Sequence, residues 1–159
     1  MAIEAPIGKY KKNNLKIYIA VCVVFAVFFG YDGYLSKYEW SHRRGFYEKH
    51  IKDGQPDDTM IFNQKAPIFL GAAVVALGIW LWMIKNKKLI AGENELIVSD
   101  KKKIPYGSME KIDKTFFEKK GFFVITYKDE NGSEVDLKLS DRTYDNLAAV
   151  LGHIVAKIS

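Results

Sequence analysis

The sequence APIFLGAAVVALGIWLWMI, from Ala66 to Ile84, decides how the chain is organised, because its nineteen residues include no ionisable side chain. As a helix rising about 1.5 Å per residue, it would extend roughly 28 Å, close to the hydrocarbon thickness of a bilayer. Trp80 and Trp82 near its end, and the lysine cluster that begins at Lys85, are typical of a membrane–water interface. We therefore predict a transmembrane helix over residues 66–84. A buried helix of a soluble protein is the alternative.

A second apolar stretch extends from Leu15 to Leu35 and carries no charge from Ile17 to Tyr31. It predicts a first transmembrane helix over residues 15–35. A cleavable signal peptide is the rival interpretation, but no small-x-small cleavage pattern follows the apolar core. Residues 1–14 are basic and contain Pro6 and Gly8, so we expect a loose tail there.

The positive charge of the chain is concentrated beside the two apolar stretches. The formal net charge is +5, yet the last 71 residues hold eleven basic and twelve acidic side chains. This distribution argues against nucleic acid as a partner and favours contact with membrane lipids. Because lysines flank the outer ends of both stretches, we expect a multi-pass membrane protein with both termini in the cytoplasm.

The loop between the stretches, residues 36–65, is rich in aromatic and arginine side chains, the residue types that most often dominate interface energy. We predict a helical extension of the first span here and a partner-binding surface. Its residues are Trp40, Arg43, Arg44, Phe46 and Tyr47. An amphipathic segment lying on lipid headgroups would require the same residues and is the alternative.

Small residues line part of the second stretch, where they would permit close approach of another helix. They are Gly71, Ala72, Ala76 and Gly78. The partner could be the first span, a second copy of the chain, or another membrane protein.

After Lys88 the pattern changes to strands. Residues 89–90 and 95–98 predict a hairpin across Gly92-Glu93-Asn94. The stretches 121–127 and 135–139 predict a second hairpin, joined by Asp129-Glu130-Asn131-Gly132. A strand over 111–117 is expected to join the second hairpin through a turn at 118–121, which gives five or six antiparallel strands in all. Ser140 or Asp141 is expected to cap a final helix, whose apolar stripe begins at Tyr144 and ends at Ile158.

The order of these elements carries a resemblance to a known family. A short hairpin precedes IPYGSMEKID (Ile104 to Asp113), then KKGFFVITYKDENGSEVDLKLSD (Lys119 to Asp141) and one closing helix. This order resembles the bacterial pleckstrin-homology-like domains found on membrane-anchored proteins. The resemblance implies a partly open antiparallel barrel plugged by a C-terminal helix, and a role in binding. It also implies a bacterial protein of the inner membrane. The expected fold is thus an α+β membrane protein, with two transmembrane helices followed by a cytoplasmic pleckstrin-homology-like domain over residues 85–159.

No stretch of the sequence matches a catalytic or nucleotide-binding motif, and His42, His50 and His153 lack metal-ligand spacing. We therefore expect no enzyme activity, no cofactor, no metal and no small-molecule substrate. The main hypothesis is a non-catalytic interaction module, an accessory or scaffolding subunit of a membrane assembly that binds other membrane proteins or a second copy.

The alternative is a protein that senses anionic lipids at the membrane surface. The candidate headgroup contacts are Lys101, Lys102, Lys103, Lys119 and Lys120. Lysines at solvated turn tips would give the same sequence pattern and are the other interpretation. The first hairpin loop, residues 91–95, is acidic, so it is not expected to bind a headgroup.

Overall fold

The computed structural model describes residues 2–158, and it divides the chain into two compact units. Asn14–Leu81 form the helical unit, whereas Met1–Asn13 and Trp82–Ser159 together form the β unit. The strands are β1 (Ile3–Pro6), β2 (Ile51–Lys52), β3 (Gln55–Pro56), β4 (Lys88–Ala91), β5 (Glu95–Ser99), β6 (Lys102–Pro105), β7 (Met109–Asp113), β8 (Phe122–Lys128) and β9 (Glu134–Ser140). The helices are α1 (Lys9–Gly30), α2 (Arg44–His50), α3 (Asp58–Ile84), α4 (Phe117–Lys120) and α5 (Leu147–Ile158).

Two helices are long and apolar enough to cross a membrane. One is α1 with its π-helical continuation Tyr31–Leu35, and the other is α3. Both begin earlier than the apolar runs suggested, at Lys9 and Asp58. For α3 the reason is Asp57, whose carboxylate accepts a hydrogen bond from the Met60 N–H and so caps the helix before its polar first turns.

The β unit contains a four-stranded antiparallel sheet in the order β1-β4-β5-β6 and a three-stranded sheet in the order β7-β8-β9. Its first strand comes from the segment that was expected to be a loose tail. That expectation is wrong for residues 3–6, and also for residues 9–14, which form the start of α1. Ile3 pairs with Ala91 and Pro6 with Lys88 in a regular ladder. Ala5, in the middle of β1, is fully buried. The N-terminal segment is therefore part of the core of the C-terminal domain.

Both predicted hairpins of the β unit are present, as β4–β5 and β8–β9. In the second, Gly132 has a φ of +78°, a conformation that glycine adopts without steric cost. The strand expected over 111–117 is wrong at its end. It stops at Asp113, and residues 117–120 form α4, which ends at Gly121 with φ +67°. Within the described residues the sheets do not close into a barrel.

Helix α5 covers the core formed by the strands. Its buried face comprises Leu147, Val150, Leu151 and Ile154, which pack with Phe123 and Ile125 of β8. The predicted cap at Ser140 or Asp141 is wrong, because α5 begins only at Leu147. Residues 141–146 instead run along β1, where the Asp145 N–H donates to the Pro6 carbonyl.

Candidate functional site

The loop of the helical unit is fixed by one ion pair. Arg43 donates from Nε to Oδ1 and from Nη2 to Oδ2 of Asp32, each at 2.7 Å. The Asp32 side chain is only 3% exposed, whereas that of Arg43 is 46% exposed. Hydrogen bonding to Asp32 is the main reason that the pKa of Arg43 is raised. Such bidentate pairs are geometrically specific, so this one fixes the position of residues 36–43 against the end of the first helix.

The π-helical turn places Gly33, the neighbour of Asp32, against α3. A Cβ atom at Gly33 would lie 2.5 Å from the Asn63 carbonyl oxygen, so the backbones touch only because position 33 is glycine. Tyr34 donates from its hydroxyl to the Gln64 carbonyl at 2.7 Å. The two helices of this unit are therefore joined at this end by direct backbone contact and hydrogen bonds.

An aromatic pair is exposed on this fixed loop. The Tyr38 and Trp40 rings stack with centroids 5.6 Å apart and planes 10° from parallel. Trp40 is 65% exposed and Tyr38 is 44% exposed. The pair presents a flat apolar surface at a defined place, which is typical of an anchor residue at a binding interface.

The other predicted partner-binding residues mostly make contacts within the loop. Phe46 packs under Arg43 and against His50, with ring centroids 4.4 Å apart in the second contact. Arg44 lies over the Tyr47 ring, pairs with Glu48 at 3.0 Å and donates to the Lys37 carbonyl. The structure thus brings the predicted residues together, but it leaves Trp40 as the exposed anchor.

The small residues of α3 are not used for packing within the helical unit. A Cβ atom at Gly71 or Gly78 would have no atom within 4 Å, and Ala72 and Ala76 are exposed. The close approach occurs at Gly33 instead. Packing of this stripe against a second copy or another protein remains a prediction.

In the β unit, the predicted lysines lie in two different clefts. Lys101, Lys102 and Lys103 line a cleft of about 530 Å³ that also contains three carboxylates, those of Asp100, Asp129 and Glu130. Lys103 pairs with Glu95 at 3.5 Å. This first cleft has mixed charge, which weakens the attraction of an anion.

The second cleft, of about 310 Å³, is lined by cations and no carboxylate, and we call it the basic cleft. Its lining residues are Lys119, Lys120, Phe122, Lys138, Ser140 and Arg142. Sequence reasoning found the first two lysines but missed Lys138 and Arg142. The pairing of Phe122 with Ser140 in the β8–β9 hairpin brings these distant residues together, and the hairpin register was the signal that could have found them.

The histidines do not form a metal site. Among residues 2–158, no group of three or more His, Cys, Asp or Glu side chains is placed to hold a metal ion. His50 contacts Asp57 through Nδ1 at 2.8 Å, and His153 contacts the Gly92 carbonyl through Nε2 at 2.9 Å. Both histidines therefore have structural partners.

The chain was compared with protein-family models, with curated proteins and with solved structures, and none of them matches it.

Proposed function

We propose that the protein is a membrane-anchored, non-catalytic interaction module that binds another membrane protein through its loop. The observation that carries the proposal is the Tyr38–Trp40 pair, exposed on a loop that the Arg43–Asp32 ion pair holds in place. A large aromatic surface that is already ordered loses little conformational entropy on binding. This is the role of an accessory or scaffolding subunit.

The topology of the β unit supports anchoring by a helical hairpin. Strand β1 precedes α1, and its partner β4 follows α3. The first helix thus begins, and the second ends, at the same folded unit, so a membrane that both helices cross would have that unit on one side and residues 36–57 on the other. Large apolar side chains on both helices are exposed, including Val24 and Phe69, which a lipid environment would cover. On this proposal the β unit is cytoplasmic, as the lysine distribution favours, and the membrane is a bacterial inner membrane, as the family resemblance implies.

The arrangement of the β unit supports the pleckstrin-homology-like proposal. It has seven strands in sheets of four and three, followed by one helix that covers the core. The first strand is separated from the second by the two apolar helices, so the domain would be interrupted by its own membrane anchor.

A photo-crosslinking amino acid at position 40 in native membranes tests the proposed function. The matched control is position 53, which is also exposed and lies in the β2–β3 turn of the same loop. We expect a discrete crosslinked species from position 40 and none from position 53. A chain that crosslinks to nothing at position 40 and purifies from mild detergent as a lone monomer would refute the proposal.

A further inference from the structure

Beyond binding a protein partner, we propose that the basic cleft of the β unit binds the phosphate of an anionic glycerophospholipid. Two of the four cations of the cleft come from α4, one from β9 and one from the segment that follows β9. They are Lys119, Lys120, Lys138 and Arg142. Ser140 adds a hydroxyl group that can donate a hydrogen bond to a phosphate oxygen.

The cations of the basic cleft have no acidic partner, unlike four other lysines of the β unit. Lys88, Lys103, Lys128 and Lys157 each pair with a glutamate, at distances from 2.5 to 3.5 Å. Within residues 2–158, none of the four cleft cations forms an ion pair with a carboxylate. Their charge is therefore available to a ligand, and a dianionic or monoanionic phosphate group is the ligand that Arg and Lys together favour.

Aromatic rings hold two of the lysines in place. Lys138 Nζ lies 3.8 Å from the centroid of the Phe122 ring, and Lys120 Nζ lies 4.8 Å from that of Phe116. The two rings stack with centroids 5.5 Å apart. Phe116 is 41% exposed, so the cleft combines fixed cations with an apolar group at its edge. A lipid offers a matching combination of phosphate and acyl chain, which a free phosphate does not.

The location of the cleft within the β unit also favours a lipid. Gly121, between α4 and β8, accepts a hydrogen bond from the Asp141 N–H at 2.8 Å. Two residues further on, the Thr143 carbonyl accepts the Gly8 N–H at 2.8 Å, immediately before α1 begins. The cleft is thus beside the first residues of a helix that we propose to enter the membrane, where Lys9, Lys11 and Lys12 add positive charge. Two acids partly offset the field. Asp141 packs against Gly121, and the Asp145 carboxylate accepts a hydrogen bond from the Lys9 backbone N–H at 3.2 Å.

The test uses the full chain in neutral detergent micelles, because β1 makes residues 88–159 alone an incomplete domain. Water-soluble dihexanoyl phosphatidylglycerol is titrated in, and the backbone amide signals of residues 119–122 and 138–142 are followed by NMR. We expect saturable shifts there. Lys138→Gln with Arg142→Gln should weaken binding about tenfold to thirtyfold. A second pair, Lys119→Gln with Arg142→Gln, leaves the contact of Lys138 with Phe122 intact and should act similarly.

The matched control is Lys101→Gln with Lys102→Gln, in the first cleft, whose charge is mixed. It removes the same number of charges, and it is matched in a second way because Lys102 also lies over an aromatic ring, that of Tyr127. Binding should be unchanged in this variant. Equal weakening in the control and cleft variants would overturn the proposal in favour of diffuse surface charge. Equal binding of dihexanoyl phosphatidylcholine would overturn anion recognition. Equally tight binding of inorganic phosphate at the same amides would overturn the lipid assignment. None of these results bears on crosslinking at position 40, so the two proposals fail separately.

Discussion

Replacing Ile7 by alanine tests whether the N-terminal segment belongs to the core of the β unit. The side chain is 4% exposed, and its backbone N–H donates to the Lys87 carbonyl at 3.1 Å. Removal of three carbon groups loses about 2.4 kcal/mol of transfer free energy, at about 0.8 kcal/mol per group. The cavity left behind adds to this, so Ile7→Ala should destabilise the unit by about 3 kcal/mol.

Amide hydrogen exchange of the full chain in micelles measures this effect. Core amides such as those of Leu89 and Ile125 exchange through global opening of the unit, so about 3 kcal/mol should speed their exchange roughly 150-fold. Tyr10→Ala is the control, because Tyr10 is 55% exposed two residues into α1, and it should change the rates little. Unchanged exchange at Leu89 and Ile125 in Ile7→Ala would refute the idea that the N-terminal segment belongs to the core of this unit.

Three further predictions concern the helical unit. Asp32→Asn removes the negative charge that pairs with the Arg43 guanidinium, and it should lower the stability of the loop by roughly 2 kcal/mol, because the arginine is half exposed. Hydrogen exchange of the loop amides should then become faster. The control is Glu48→Gln, which removes the acid of an exposed ion pair and should leave the exchange unchanged. Gly33→Ala forces the two helix backbones apart and should cost about 1–3 kcal/mol in steric-trapping measurements. Gly71→Ala meets open space, so an equal cost there would contradict the assigned contact. The pKa of Asp57 is lowered, mainly by the Met60 backbone N–H that its carboxylate accepts and then by His50. The charged carboxylate therefore stabilises α3 at neutral pH, and this stabilisation is lost as the pH falls through the lowered pKa. NMR titration of its carboxylate should give a midpoint below 3.8, and a midpoint at or above this value would show that the cap does not stabilise the charged form.

Local patterns in the sequence were sufficient where local interactions determine the structure. The apolar runs were sufficient to predict both long helices, because a long uninterrupted apolar segment forms few structures other than a helix. The β8–β9 hairpin followed from alternation and from Asn131-Gly132, since the turn alone sets the pairing of the two strands.

The parts that were missed depend on distant contacts. Strand β1 has only four residues, Ile3–Pro6, and contains a proline, so it has almost no strand signal of its own. It is ordered by β4, more than eighty residues away, and no local pattern reports such a pairing. The end of β7 was placed too late because Phe116 and Phe117 suggested a strand, whereas the αL conformation at Gly121 terminates a helical turn.

The candidate sites also divide into features that the local sequence predicts and features that depend on distant contacts. Trp40 was predicted because an aromatic side chain in a short loop has little to pack against. Arg43 was grouped with it, and only the structure shows that its charge is committed to Asp32. The mixed charge of the cleft at Lys101 depends on Asp129 and Glu130, which come from another hairpin, so the sequence could not show it.

Side-specific labelling of single cysteines tests most directly the claim that two helices anchor an otherwise continuous domain. In a Cys22→Ser background, Glu4→Cys, Lys128→Cys and Asp53→Cys each place one thiol at an exposed position. A membrane-impermeant maleimide added to intact cells should label position 53 alone, and positions 4 and 128 only after permeabilisation. Labelling of positions 4 and 128 from opposite sides, or of all three without permeabilisation, would contradict the account.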